Sequence, residues 1–317
     1  MKDRKKLLIL SLLALSAVAL FLFYGLNSNN YEYNLSKRIP RVIAIIVTGG
    51  SIAFSSILFQ TITNNRIITP GILGLDSMYG FLQSFMVFVF GTSSIVMTNS
   101  KVNFLLSLLF MIGGMFIIYS LIIKKEKFNI YVLLLIGTIF GTFFRSLSTY
   151  LQILLDPNDY ETLQNKLFAS FSNIHTELLL IVIIILLIMF AFIYDDFKKL
   201  DPLLLGRENA INLGIDYDKI SRKSFVIIGI LVSISTALVG SITFLGILVV
   251  NLSYEYISSF RHKYLVPCAI LISIIALVGG QFIVEKVLNY SSKVSIIINF
   301  IGGIYFIYLL LKENKND

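Results

Sequence analysis

Long stretches without a charged residue constrain this chain more than any other feature. A hydrocarbon core about 30 Å thick takes roughly 20 residues of helix, and each stretch reaches or approaches that length. Only 14% of the 317 residues are charged and 56% are hydrophobic, whereas soluble proteins carry about a quarter charged residues. We therefore predict an all-α integral membrane protein with a single transmembrane domain over residues 1–317. The nine stretches are Leu7–Tyr31, Val42–Asn65, Ser77–Ser100, Val102–Ile123, Phe128–Phe144, Leu178–Tyr194, Ser224–Tyr254, Tyr264–Val284 and Val294–Leu311.

The number of membrane spans depends on the stretch Ser224–Tyr254. As one helix it would run about 46 Å, well beyond the hydrocarbon thickness, and Gly240 and Gly246 interrupt it, so two short spans fit better. Phe128–Phe144 is expected to continue as one helix through Arg145. About ten spans with a cytoplasmic N-terminus put 18 Lys and Arg residues inside and seven outside, whereas nine spans give 16 and nine. Because cytoplasmic loops carry the excess of basic residues, ten is favoured.

The N-terminal stretch is predicted to be a retained span rather than a cleaved signal. Its basic start, Lys2 to Lys6, precedes an apolar run of about 20 residues, which is longer than a signal-peptide core, and no small-residue cleavage site follows. Both termini are then expected in the cytoplasm.

Composition argues against several other activities. A net charge of +8 first indicates cytoplasmic loop charge in a membrane protein, so no nucleic-acid partner is expected. Cys268, His175 and His262 offer no metal-ligand spacing, so neither a metal site nor a cofactor is expected. No P-loop motif is present, so any ATP hydrolysis is expected in another chain.

Charge is concentrated in residues 195–223, which hold twelve of the 44 charged residues. Asp201-Pro202 is a favourable helix start and Gly214 a plausible stop, which predicts a short two-helix elbow over about residues 198–221. Such a segment is typical of a surface that docks another protein, and an interfacial amphipathic helix is the alternative. Its apolar residues are Leu203, Leu204, Leu205, Ala210, Ile211 and Leu213.

Five ordered motifs resemble the permease subunits of iron-chelate and cobalamin importers of the ABC class, the FecCD-type permeases. They are Arg38-Ile39-Pro40-Arg41 followed by small residues, Asn64-Asn65 and Pro70-Gly71-Ile72-Leu73-Gly74; Leu155-Asp156-Pro157; the elbow Leu205 to Ile215; Gly240 to Val249; and Phe300-Ile301-Gly302-Gly303. The sequence departs from the family pattern at Arg66, Asp76 and Val250-Asn251, which suggests a subgroup.

The resemblance implies a type II ABC importer permease with about ten transmembrane helices and inverted four-helix repeats, in the bacterial plasma membrane. Its partners would be a second permease subunit, identical or homologous, a cytoplasmic ABC ATPase and an extracytoplasmic substrate-binding protein. The substrate would be an iron(III)-siderophore complex, with cobalamin or haem as alternatives. The chain itself would be a transport subunit and not an enzyme.

The resemblance also assigns roles residue by residue. The coupling surface for the ATPase would comprise Leu204, Leu205, Gly206, Arg207, Glu208, Ala210, Leu213 and Gly214. Docking of the binding protein would use Arg38, Arg41 and Lys286, although Arg38 could instead anchor a helix to lipid headgroups. The cytoplasmic gate would comprise Asn64, Asn65, Asn129, Ile130 and Tyr131, for which plain helix capping is the alternative.

Two ionisable residues within the spans, Asp76 and Arg145, are candidates for the translocation path. The dipole of a helix N-terminus would also account for Asp76, and Arg145 could extend outward to the headgroups.

Two other protein classes fit the sequence less well. A transporter driven by ion gradients would need more ionisable groups inside its spans. A membrane enzyme would need a cluster of acid, base or metal-binding residues at one membrane face.

Overall fold

The computed structural model describes residues 2–27, 31–123, 129–172 and 174–313, which form fourteen α-helices and two short 3₁₀-helices, at Pro70–Leu73 and Phe197–Lys199. No β-strand occurs in these ranges, and one isolated bridge joins Phe168 to Ser241. The predicted all-α fold is confirmed. The helices are α1 (Lys2–Phe23), α2 (Tyr31–Thr63), α3 (Leu75–Phe90), α4 (Ile95–Thr98), α5 (Ser100–Ile123), α6 (Ile130–Ile153), α7 (Pro157–Leu167), α8 (Thr176–Tyr194), α9 (Leu200–Leu203), α10 (Arg207–Asn212), α11 (Tyr217–Val239), α12 (Leu245–Tyr256), α13 (His262–Lys286) and α14 (Val294–Glu313).

Eight helices in the described part of the chain are long and apolar enough to cross a membrane: α1, α2, α5, α6, α8, α11, α13 and α14. Two shorter helices correspond to the remaining predicted spans. Helix α3 has 16 residues and α12 has 12, which correspond to about 24 and 18 Å. The stretch Ser224–Tyr254 is divided as predicted, with α11 ending at Gly240, whose φ is +99°. Helix α6 continues through Arg145, also as predicted.

Helix α2 is longer than the charge-free stretch from which it was predicted. It begins at Tyr31 and includes Pro40, whereas the apolar stretch begins at Val42. Charged residues mark where a helix leaves the hydrocarbon, not where its hydrogen bonding stops. Arg38 and Arg41 therefore lie within a helix and not ahead of it.

The chain forms two compact units. Unit 1 comprises residues 1–57, 170–187 and 242–317, and unit 2 comprises residues 58–169 and 188–241. The prediction of a single permease domain over residues 1–317 stays a prediction.

Unit 1 is organised around α13, which packs against α1, α12 and α14. Leu10, Ala14 and Phe21 form the buried face of α1. Their spacing of four and seven residues places them on one side of the helix. Beyond its charged first turn, α1 also carries exposed apolar side chains, among them Leu8, Leu12 and Leu15, as expected for a helix that faces lipid.

Unit 2 contains a buried hydrogen-bond network between α3 and α5. Gln83 Nε2 donates to Asn103 Oδ1 at 3.0 Å and to Ser107 Oγ at 2.9 Å, and Asn103 Nδ2 donates to Gln83 Oε1 at 3.1 Å. Polar side chains within a membrane helix need partners on neighbouring helices, and each such bond contributes roughly 0.6–2 kcal/mol. The network therefore specifies how α3 lies against α5.

Close backbone contact joins the turn before α3 to α6. Gly74 has a φ of +75°, and a Cβ atom built on it would lie 2.5 Å from the Cα of Gly141. A Cβ built on Gly137 would lie 2.7 Å from the carbonyl oxygen of Ile72. Gly137 and Gly141 therefore allow the backbone of α6 to approach the turn before α3 closely.

Substitution of Gly74 by alanine is expected to destabilise the protein by about 2–5 kcal/mol, because the new methyl group meets backbone and the positive φ is strained. The matched control is Gly113→Ala on α5, where an added Cβ would meet no atom within 4 Å. Thermal unfolding in detergent measures both variants. Equal unfolding midpoints for the two would contradict the close contact.

Candidate functional site

The elbow consists of two short helices between α8 and α11. The 3₁₀-turn Phe197–Lys199 leads into α9, and α10 follows after Gly206. Gly206 and Gly214 have φ values of +87° and +77°, a region that glycine adopts without strain. The two-helix elbow and the stop near Gly214 are confirmed. Helix α9 begins at Leu200, one residue before the Asp201 predicted as its N-cap.

The apolar residues of the elbow divide into a buried set and an exposed set. Leu203 and Ala210 are fully buried, whereas Leu205 is 57% exposed and Leu213 60% exposed. Ile211 is exposed as well. Ala210 was predicted to lie on the coupling surface, but it packs inside the elbow. The surface available to a partner is therefore formed by Leu205, Ile211 and Leu213.

Ion pairs attach the elbow to the start of α11. Arg207 Nη2 lies 2.5 Å from Asp218 Oδ2. Asp196, just before the elbow, accepts from Lys199 at 2.7 Å and from Lys223 at 2.5 Å. These hydrogen bonds hold the pKa of Asp196 below its usual value, and the bond from Lys199 contributes most. The carboxylate therefore stays ionised at neutral pH.

The predicted gate turn at Asn64-Asn65 adjoins the elbow within unit 2. Asn64 has a φ of +47°, and Asn65 Oδ1 accepts from the backbone N–H of Ile67 at 2.8 Å. A Cβ built on Gly206 would lie 3.8 Å from Asn64 Nδ2. The Asn64 side chain therefore lies close to the Gly206 backbone.

The second predicted gate turn precedes α6. Asn129 is the N-cap, and its side chain accepts from the backbone N–H of Tyr131 at 3.0 Å and of Val132 at 3.3 Å. Ile130 is the first residue of the helix, and the Tyr131 side chain is 81% exposed. The Asn129 side chain therefore caps the helix. The Tyr131 side chain projects away from the protein.

Arg38, predicted to dock a binding protein, is buried in unit 1. Its side chain donates to the carbonyl oxygens of Leu22 at 2.8 Å and Tyr24 at 2.9 Å, and the residue is 5% exposed. These carbonyls lie at the C-terminal end of α1, where the helix leaves unpaired acceptors and a partial negative charge. Arg38 therefore caps α1.

Arg41 forms a buried ion pair with Glu285. Arg41 Nη1 lies 2.7 Å from Glu285 Oε1, with side-chain exposures of 14% and 4%. Arg41 also donates to the carbonyl oxygen of Ser172 at 3.0 Å, and Glu285 accepts from Gln281 at 2.8 Å. The pair links α2, α13 and the segment before α8.

A cavity of about 760 Å³ opens beside this ion pair, and all its lining residues belong to unit 1. Lys37 and Lys286 line it and are exposed. Sequence reasoning missed Lys37, although helical spacing places Arg38 with the buried residues Val42 and Ile45 and turns Lys37 away from them. The exposed cations of the cavity are therefore not the two arginines predicted.

The path candidates Asp76 and Arg145 both belong to unit 2. Asp76 is the second residue of α3 and accepts from Thr236 Oγ1 of α11 at 3.2 Å. Arg145 lies on α6 and is exposed. Among the described residues, no group of three His, Cys, Asp or Glu could hold a metal ion.

These features define a multi-pass membrane protein with an elbow that exposes apolar side chains. The sequence model of the FecCD transport family matches residues 7–312, so the chain belongs to this family. The predicted resemblance is confirmed.

Curated relatives and a solved structure agree with this assignment. The chain is 52% identical, over all of both chains, to the petrobactin import system permease protein YclO of Bacillus subtilis strain 168. It is 33% identical to the petrobactin import system permease protein FatC of Bacillus anthracis, covering 95% of this chain and 88% of that one. A metal-chelate type ABC transporter solved in an inward-facing conformation has the same fold, with a TM-score of 0.83, 24% identity, and 98% and 99% of the two chains covered.

Loss of either partner of the Arg41–Glu285 pair is expected to destabilise the protein by about 3–5 kcal/mol, because an unpaired charge stays buried. Glu285→Gln and Arg41→Gln should each lower the unfolding midpoint. The double variant should lose less than the sum of the two, and a double-mutant cycle measures this coupling. Strict additivity would contradict the pair.

Proposed function

We propose that this chain is the membrane-spanning permease subunit of an ATP-driven importer that translocates an iron(III)-siderophore complex. The observation that carries the proposal is 52% identity, from end to end, to a permease named for petrobactin import. A substrate-binding protein would deliver the complex, a separate ATPase chain would hydrolyse ATP, and a second permease subunit would complete the path. The chain would do no bond chemistry.

Among siderophores, ferric petrobactin is the first to consider, because two relatives at 52% and 33% identity are named for its import. The vitamin B12 import system permease protein BtuC of Vibrio vulnificus is 25% identical, which makes cobalamin the weaker alternative, and haem is a further alternative. A transporter driven by ion gradients is disfavoured, because the spans hold few ionisable residues from which a proton or sodium relay could be built.

In this proposal the chain lies in the bacterial plasma membrane with both termini in the cytoplasm, so the elbow faces the ATPase. Leu205, Ile211 and Leu213 supply the apolar contact, and Arg207 and Glu208 lie at its rim. ATP-driven movement of the elbow would reach the cytoplasmic gate through the contact between Gly206 and Asn64. Asn65 and the turn Asn129 to Tyr131 would complete the gate, and Asp76 and Arg145 would line the path.

On the outer side, the binding protein would dock over the cavity of unit 1. Lys37 and Lys286 are the exposed cations there, so we assign them the attraction of carboxylates on the binding protein. Exposed charges of this kind set the association rate more than the final affinity. Arg38 and Arg41 would stabilise the docking surface from beneath, because Arg38 caps the end of α1 and Arg41 pairs with Glu285.

Cells that lack this chain are expected to lose uptake of radioactive iron supplied as ferric petrobactin. Uptake of a ferric hydroxamate and of labelled cobalamin should stay within about twofold, because the binding protein of this system would select petrobactin and other importers would carry those ligands. Expression of the wild-type chain should restore the lost uptake. Unchanged petrobactin uptake together with loss of cobalamin uptake would contradict the proposed substrate.

Replacement of the exposed elbow leucines, Leu205→Ser/Leu213→Ser, is expected to weaken binding of the ATPase by about 10–100-fold, because two apolar contacts are lost. Leu205→Met/Leu213→Met keeps the apolar area and should keep the affinity within about threefold. Surface plasmon resonance with the purified permease and ATPase measures both. Equal affinities for the two variants would show that the ATPase docks elsewhere.

Removal of the two exposed cavity cations, Lys37→Gln/Lys286→Gln, is expected to slow association of the binding protein by about tenfold at low salt and to flatten its salt dependence. Lys101→Gln/Lys293→Gln removes the same charge outside the cavity and should change the rate less than about twofold. Stopped-flow measurement of the association rate tests the assignment. A slower rate with Arg38→Gln, but not with the lysine variants, would contradict it.

A further inference from the structure

One end of unit 1 carries a concentration of basic side chains. The first turn of α1, residues 2–6, and the segment that enters α13, residues 257–263, contain six basic residues and one acidic residue, Asp3. The basic residues are Lys2, Arg4, Lys5, Lys6, Arg261 and Lys263.

Specific contacts hold these two segments together. Asp3 Oδ1 accepts from the backbone N–H of Ser258 at 3.1 Å. Lys6 Nζ donates to the carbonyl oxygen of Tyr256 at 2.5 Å and to Ser258 Oγ at 3.4 Å. The single acidic side chain therefore faces the neighbouring segment and not the other basic residues.

The other five basic residues are exposed to the surroundings of the protein. Beside them, Phe260 is 60% exposed. An exposed Phe ring can enter the boundary between headgroups and acyl chains, and Lys and Arg side chains extend toward the headgroups. The cluster thus has the composition of a surface at headgroup depth.

An exposed apolar stripe continues from this cluster along α1. Arg4, Leu8, Leu12 and Leu15 follow one another at spacings of four, four and three residues, which places them on one face of the helix. Leu8, Leu12 and Leu15 are 65%, 67% and 65% exposed. Along this face, a cationic side chain is therefore followed by a strip of exposed leucine side chains about 10 Å long.

We propose that this surface, defined by Arg4, Lys5, Arg261, Lys263 and the leucine stripe of α1, is a binding site for an anionic phospholipid. The phosphate would lie among the basic side chains, and an acyl chain would follow the stripe. Basic groups near a membrane surface attract anionic lipids, by about fivefold in affinity per residue. The continuous apolar stripe favours a lipid over an acidic protein, because a protein surface could match the charges but could not follow the helix into the hydrocarbon.

Native mass spectrometry of the purified full-length chain, titrated with phosphatidylglycerol or phosphatidylcholine, tests the site. The wild-type chain should bind phosphatidylglycerol at least about tenfold more tightly than phosphatidylcholine. Arg4→Gln/Lys5→Gln and Arg261→Gln/Lys263→Gln should each weaken phosphatidylglycerol binding by about 25-fold and leave phosphatidylcholine binding unchanged.

Two controls keep the result interpretable. Lys198→Gln/Lys219→Gln removes the same charge from exposed residues of the elbow region and should keep phosphatidylglycerol affinity within about twofold. Arg4→Lys/Arg261→Lys keeps the charge of the site and should keep its affinity. Unchanged affinity in both site variants would overturn the proposal and leave the surface to an acidic protein, and equal losses in the elbow control would overturn it in favour of diffuse attraction. None of these outcomes depends on the transported substrate.

Discussion

A polar group placed in hydrocarbon must find a partner within the protein, and this constraint governs the structure described here. Gln83 of α3 and Asn103 of α5 hydrogen-bond to each other. Arg38 donates to the open carbonyls at the end of α1, and Arg41 pairs with Glu285. In each case the side chain that needs a partner also determines which helices lie side by side.

The same constraint explains where exposed chemistry remains available. Several exposed charges lie outside the spans, among them Glu208 of the elbow and Lys37 and Lys286 beside the cavity of unit 1. The elbow presents Leu205 and Leu213 to its surroundings and is fixed to α11 through Arg207 and Asp218. A partly apolar segment that is held to a long helix by an ion pair is suited to transmit movement from a partner. In the proposed function, that partner is the ATPase.

Much of this arrangement could be predicted from the sequence, because it follows from local patterns. The break at Gly240, the two-helix elbow and the continuation of α6 through Arg145 all depend on neighbouring residues. The contact of Arg38 with the end of α1 was not predicted, although helical spacing already placed the residue on the buried face. The Arg41–Glu285 pair could not be foreseen, since its partners are 244 residues apart in the chain and meet only once α2 and α13 are packed.

Reconstituted transport tests the central claim most directly. Proteoliposomes that contain this permease and its cognate ATPase, supplied with the loaded binding protein, would be assayed for internal radioactive iron. The account predicts uptake only when ATP, the ATPase and the binding protein are all present, and equal uptake after ionophores collapse the proton and sodium gradients. Uptake without the ATPase, or its loss on addition of ionophores while ATP is present, would contradict it.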